Sequence, residues 1–289
     1  MFRKNPVYER ELWAANRSML FTAAVCAFHV IMAVTALAVF SSMLQYIETH
    51  GQGNYEVMLQ LYIVLAMVEC MIIVFIMPAM AGAGIAQERE RRTLDLMTVS
   101  GISSFQLVMG KQKAYMNTAV VLILSGLPAL SLVFVYGGIQ VWDMIWLAVI
   151  LFLIAWYLCA VSLFCSAISR RTGYGVVIAY AVVLLIVAGT VLLHYHKTLL
   201  LGITSYGEAI GSRVAWYHYF LLLNPLLTVY VILQQQAGSA EILFELINYQ
   251  GNYRPNWVTE NWAELSLAVQ MVTAIILLAA TVRVIEKKG

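Results

Sequence analysis

Residues 87–96 read Gln87-Glu88-Arg89-Glu90-Arg91-Arg92-Thr93-Leu94-Asp95-Leu96, a charged knot between two long apolar segments. Charge in hydrocarbon is costly, so the knot belongs in water or against another protein. It is the place where a membrane protein would be driven from outside the membrane. The simpler reading is a solvated loop that stops two spans and orients them. Helical form argues for more. Leu94 and Met97 fall on one face, Gly101 ends the turn, and Arg91 and Asp95 form an i,i+4 pair of opposite charge. A short amphipathic helix lying along the membrane, with a mixed-charge face, has the form of a docking element.

A second group with chemical potential is Glu69, the one acidic residue deep in an apolar segment. Leaving it charged and unpaired would cost about 2.5–3.5 kcal/mol on insertion scales. His29 lies at similar depth in the preceding apolar segment, so a Glu69–His29 pair is expected. Two readings stay open: a polar site lining a translocation route, or a satisfied interhelical contact or protonated carboxyl with no transport role. His194 and His196 lack a third ligand, which makes them interfacial side chains rather than a metal site. Gly110-Lys111 is followed by Gln112 and lacks the upstream glycine of a phosphate-binding loop, so this chain is not expected to hydrolyse ATP. No His-Glu-x-x-His and no glycine-flanked serine nucleophile occurs, which removes support for an intramembrane protease. No catalytic, cofactor or metal residue is assigned.

The elements that position these groups are set by hydrophobicity. Of the 289 residues 62% are hydrophobic and 11% charged, with mean hydropathy +0.82; a soluble domain carries about 25% charge. The expected fold is one all-α transmembrane domain over 1–289. A span needs about 20 apolar residues, and six fit, near 19–43, 57–85, 114–136, 144–168, 174–194 and 265–283. The charge-free run after Arg17 is 30 residues long, about twice the upper limit of a signal-peptide core, so it is expected to remain as the first span. Cys26, Cys70, Cys159 and Cys165 all fall within spans and read as small buried hydrophobes.

Six spans put fourteen of the 17 Lys and Arg residues on one side, leaving only Lys197, Arg213 and Arg254 on the other. The positive-inside rule makes both termini cytoplasmic in a multi-pass cell-membrane protein. Residues 86–113 then form a cytoplasmic loop and 195–264 an outer region. Within the latter, 214–236 is apolar enough for a seventh span, but Asn224-Pro225 interrupts it and a seventh span would put Arg283, Lys287 and Lys288 outside. Short re-entrant helices fit better, because proline breaks a helix and restricts the residue before it. Tyr249, Tyr253, Trp257 and Trp262 read as an aromatic belt at the outer interface. Residues 1–18 read as an interfacial helix: Asn5 caps it, Pro6 suits its first position, and Tyr8, Leu12, Ala15 and Met19 recur at helical spacing, with Trp13 alongside.

Asn5-Pro6-Val7 with Glu9-Arg10-Glu11-Leu12, then Glu88-Arg89-Glu90 with Thr93-Leu94-Asp95-Leu96, then Gly110-Lys111 and Asn224-Pro225 together resemble the membrane subunits of type-2 ABC transporters, in order and spacing along the whole chain. Gln87 and Arg92 stand where that family usually has glycine; these departures are expected to leave the helix intact, with Arg92 removing a flexible point. The resemblance implies six spans per subunit, two membrane subunits (identical or related) and two ATP-binding subunits, which hold ATP and Mg. It implies that Glu88–Gly101 is the coupling helix seated on the ATPase, that residues 1–18 are the connecting helix, that Arg170-Arg171 lie in a second, shorter cytoplasmic contact, and that 198–236 are the outer re-entrant helices. It implies export driven by ATP along a route lined by the first, second and fifth spans. Drugs, peptides, lipids and glycans all remain open as substrate, and nucleic acid is not an expected partner. The alternative is a non-transporting scaffold or sensor that holds a cytoplasmic partner through the same loop. An independent secondary transporter is weakened by the lack of inverted repeats and by the single deep carboxylate.

Overall fold

The computed structural model describes residues 6–16, 19–50, 55–94, 97, 101–135, 139–195, 216–238 and 256–288. Among these every regular element is a helix, as hydrocarbon demands of chain segments that must satisfy their own backbone groups. In order they are α1 (Pro6–Asn16), α2 (Met19–His50), α3 (Tyr55–Glu90), α4 (Ser104–Val135), α5 (Val141–Ile168) and α6 (Thr172–Leu184). A π-helical turn, Leu185–Gly189, carries α6 into α7 (Thr190–His194). A 3-10 helix (Trp216–Leu223), α8 (Pro225–Gln236), α9 (Trp257–Glu260) and α10 (Trp262–Lys288) complete the fold. Asn5, Arg17, Asp95, Leu96, His196, Tyr249, Tyr253 and residues 198–215 lie outside the described residues.

Among the described residues six helices are long and apolar enough to cross a membrane: Val25–Glu48, Leu59–Glu90, Ser104–Ser131, Val141–Ile168, Thr172–His194 and Trp262–Lys287. The chain is therefore a multi-pass membrane protein. The helices outrun the apolar windows because polar residues can continue a helix until something caps it. At the start of α4 that is a capping box: Gln106 N donates to Ser103 Oγ and Ser103 N to Gln106 Oε1 (3.2 and 3.3 Å).

The central helix is α5, which packs against α3, α4, α6 and α10. Of its apolar window 67% is buried, against 11% for both the first and the fifth span. α3 and α6 cross at bare backbone: a Cβ on Gly82 would lie 3.0 Å from Ala179 Cβ, and one on Gly175 would collide with the Gly82 carbonyl. Small residues at such crossings let helices approach where lipid gives no hydrophobic drive. Pro78 interrupts the α3 ladder, and Tyr180 Oη of α6 donates to the nearby Phe75 carbonyl at 2.7 Å.

One aromatic expected at the outer interface sits elsewhere. Trp262 is fully buried and packs with Leu221 and Val231 under the 3-10 helix and α8. Trp257 is exposed. Tyr217–Leu223 and Pro225–Gln236 meet at an angle of 86°.

Candidate functional site

Three consecutive side chains at the end of α3 reach three different parts of the fold. Glu88 is 5% exposed and Lys111 of α4 1% exposed, with Lys111 Nζ 3.0 Å from Glu88 Oε1 and 2.8 Å from Glu11 Oε1 of α1. Arg10 of α1 pairs with Glu88 and lies 2.8 Å from Glu11. Two cations and two carboxylates thus alternate around one junction of α1, α3 and α4. Each buried charge has two opposite neighbours, the arrangement that offsets the loss of hydration. Burial alone would raise the Glu11 carboxyl; the charges and hydrogen bonds of Lys111 and Arg10 outweigh it and hold it below the ordinary value of 4.5.

Arg89 turns the other way. Its Nη1 donates to the carbonyls of Ala167 and Ser169 at 2.6 and 2.7 Å, closing the C-terminal end of α5, where the helix dipole favours a cation. Glu90 reaches the start of the next helix: Thr172 N and Oγ1 both donate to its Oε2, at 2.8 and 2.5 Å. That carboxylate satisfies a donor left free in the first turn of α6. Just above, the backbone N–H groups of Ile85 and Ala86 both donate to Ser166 Oγ (3.0 and 2.9 Å), tying α3 to α5.

Beyond Glu90 the chain leaves the helix. Arg92 has φ 57°, the left-handed region that disfavours a side chain. The helix therefore does not pass intact through this position, contrary to the sequence expectation. A glycine at this position would meet the same backbone without strain, and Arg92 marks a break rather than the removal of one. Arg91 and Arg92 are exposed, Thr93 Oγ1 donates back to the Glu88 carbonyl (3.1 Å), and Leu94 is buried. Gly101, at φ 82°, turns the chain before α4.

Glu69 is fully buried on α3, and neither of its oxygens has a hydrogen-bond partner among the described residues. It sits against Gly126 of α4, where an added Cβ would be 2.5 Å from Oε1. His29 is exposed on α2, its Nδ1 2.8 Å from the Val25 carbonyl. The expected Glu69–His29 pair is not formed. Depth placed the two side by side, but helix rotation decides contact, and these side chains point to different faces.

At the opposite end, Asn224 caps α8 by accepting from Leu226 N and Leu227 N (3.1 and 3.3 Å), and Pro225 takes the first helical position. The Asn224 Nδ2 donates to the Val187 carbonyl in the π turn and to Thr190 Oγ1 (3.0 and 2.9 Å). Thr228, Ser266 and Gln270 continue this buried network onto α10. His194 and His218, both buried, stack edge-on with ring centroids 5.0 Å apart.

Sequence reasoning singled out Glu88 but not its partners Arg10, Glu11 and Lys111 as one cluster, nor Ser166, Thr172 and Gly126. A lysine eight residues into a helix that continues apolar was the available signal, since a buried ammonium requires carboxylates. A family model described as ABC-2 family transporter protein matches residues 31–283. No curated protein matches the chain.

Proposed function

The chain belongs to the ABC-2 family of transporter proteins, and from its place as the membrane permease subunit of an ABC transporter we propose that it forms half of a dimeric exporter whose stroke is received at Glu88–Asp95. The observation that supports this most is the divergence of three adjacent side chains: Glu88 to α1 and α4, Arg89 to the end of α5, Glu90 to the start of α6. A displacement of the segment after Arg92 would thus be shared among four helices at once. ATP and Mg are held by the separate ATP-binding subunit in this scheme. That subunit's closure pushes on Glu88, Arg89, Glu90, Arg91, Arg92, Thr93, Leu94 and Asp95, and α1 acts as the connecting helix.

Both termini are placed in the cytoplasm, with the knot, by the positive-inside bias. The 86° bend at Asn224–Pro225 is read as a re-entrant pair on the outer side, its broken backbone covered by the network onto the π turn and α10 as membrane depth requires. Export runs along the faces that the first and fifth spans leave open, together with the second. Glu69 belongs to the α3–α4 contact rather than to that route, because α4 closes over it. The substrate class is a drug, peptide, lipid or glycan.

The test is mild-detergent purification of the chain from native membranes, with ATP hydrolysis and vesicle efflux measured together. A stoichiometric ATP-binding partner is expected. Glu90→Ala combined with Arg91→Ala is expected to keep hydrolysis while losing efflux. A pure chain without an ATPase, or unchanged coupling in the double variant, would overturn the assignment and favour a scaffold.

A further inference from the structure

On the same side as the charged junction a cleft of about 470 Å³ opens between α4, α5 and α10, walled by Phe105, Met109, Trp156 and Leu278, with Arg283 and Glu286 completing the lining at the C-terminal end of α10. From Ile275 to Glu286 it follows α10 for about 16 Å at 1.5 Å per residue, close to half of a hydrocarbon core of about 30 Å. That length matches one leaflet. Phe105 and Ile275 are exposed, so the cleft faces outward from the bundle rather than into its core. Arg283 and Glu286, one turn apart and exposed, are joined neither to each other nor to any other ion pair among the described residues.

An apolar trough with a cation and an anion side by side at headgroup level complements an amphiphile whose head carries both charges. We propose that this cleft is a binding site for one phospholipid with a free ammonium headgroup, of the phosphatidylethanolamine type. Its phosphate meets the Arg283 guanidinium, its ammonium donates to the Glu286 carboxylate, and one acyl chain lies between Phe105 and Leu278. Arginine offers several donors to phosphate oxygens. A phosphatidylglycerol head would bring no cation to Glu286. A choline head would bring one with no N–H to donate. The site stands apart from the export route and rests on the proposed orientation only in naming the leaflet as the inner one.

Native mass spectrometry of the delipidated full-length transporter, offered phosphatidylethanolamine, phosphatidylcholine or phosphatidylglycerol of identical chains, tests this without any transport reading. One ethanolamine lipid retained per chain, about tenfold more tightly than either competitor, is the expected result, the size of one charge-assisted hydrogen bond. Arg283→Gln should lower retention about tenfold. Glu286→Gln should abolish the preference over phosphatidylcholine, and Ala279→Trp should fill the cleft and displace the lipid. Equal retention of all three lipids, or retention unchanged in both Arg283→Gln and Ala279→Trp, overturns the proposal. So does cross-linking of Ala279→Cys to a second copy or to the ATP-binding subunit, which would show the cleft covered by protein.

Discussion

Replacing Lys111 with methionine tests the charged junction directly. Lys111 Nζ lies 2.8 Å from Glu11 and 3.0 Å from Glu88, and at an effective dielectric near 20 each such contact carries about 6 kcal/mol of attraction before desolvation is counted. Removing the ammonium leaves two carboxylates sharing Arg10 alone, with the Glu88 side chain only 7% exposed. Breaking a buried pair by deleting one partner costs about 3–5 kcal/mol, and Lys111→Met should cost about that. Glu88→Gln, which leaves Lys111 its contact with Glu11, should cost about 1–3 kcal/mol. In the double variant the losses should fall short of their sum by about 2 kcal/mol, since neither orphan remains. Steric-trapping or reversible unfolding in detergent micelles gives the four free energies. Lys113→Met, exposed two residues away, should stay within about 0.5 kcal/mol of the parent. Additive losses for Lys111 and Glu88, or a Lys111→Met cost no larger than that of Lys113→Met, would refute the account of a coupled buried cluster.

Arg92→Gly should stabilise the protein by about 1 kcal/mol, because the φ of 57° strains an L side chain by about 1–2 kcal/mol and the glycine gives part of that back as unfolded-state entropy; a melting temperature that falls would contradict the left-handed turn. Gly126→Ala drives a methyl to within 2.5 Å of Glu69 Oε1 and should cost about 1–3 kcal/mol. Glu69→Ala in the same chain should recover most of that loss, and thermal melts of the three variants would expose an equal penalty in both backgrounds if the contact were wrong. Acid should release α1. The Glu11 carboxyl is held below 4.5 in the folded protein, so its contribution is fully present above that pH and is lost as pH falls through the lower folded value. Hydrogen exchange at residues 7–13, compared at pH 6 and pH 3, should show α1 losing protection before α5, and equal protection at both pH values would count against the junction.

The spans were legible because hydrocarbon imposes one requirement on every residue of a long segment, and apolar length alone records it. The six long helices follow from that, and the family follows from short motifs kept in order. What brings Arg10, Glu11, Glu88 and Lys111 together is tertiary: three stretches up to 100 residues apart meet through helix rotation, which periodicity in a uniformly apolar helix does not encode. The same blindness paired Glu69 with His29, whereas a glycine on α4 was the true neighbour. Trp262 was misplaced for a related reason, since an indole near a membrane boundary suits either a headgroup layer or a small core beneath a bent helix. Arg92 shows the limit of propensity. Arginine is a good helix former, yet the break after Glu90 is enforced by Glu90's hold on Thr172 and by Thr93 closing on Glu88.

The outward reach of Arg89 and Glu90 also sets an order of assembly during synthesis. Their acceptors and donors, Ala167, Ser169 and Thr172, lie about 80 residues downstream, and Lys111 is made 100 residues after Glu11. At about 5–20 residues per second the end of α3 leaves the ribosome roughly 4–16 s before α6 begins. Through that interval the charges of Arg89 and Glu90 stay hydrated at the membrane surface, holding α3 at its final depth while the third and fourth spans are inserted. Arrest of the nascent chain before residue 172 should therefore leave Arg89 open to trypsin, and extension past it should protect that bond in a single step.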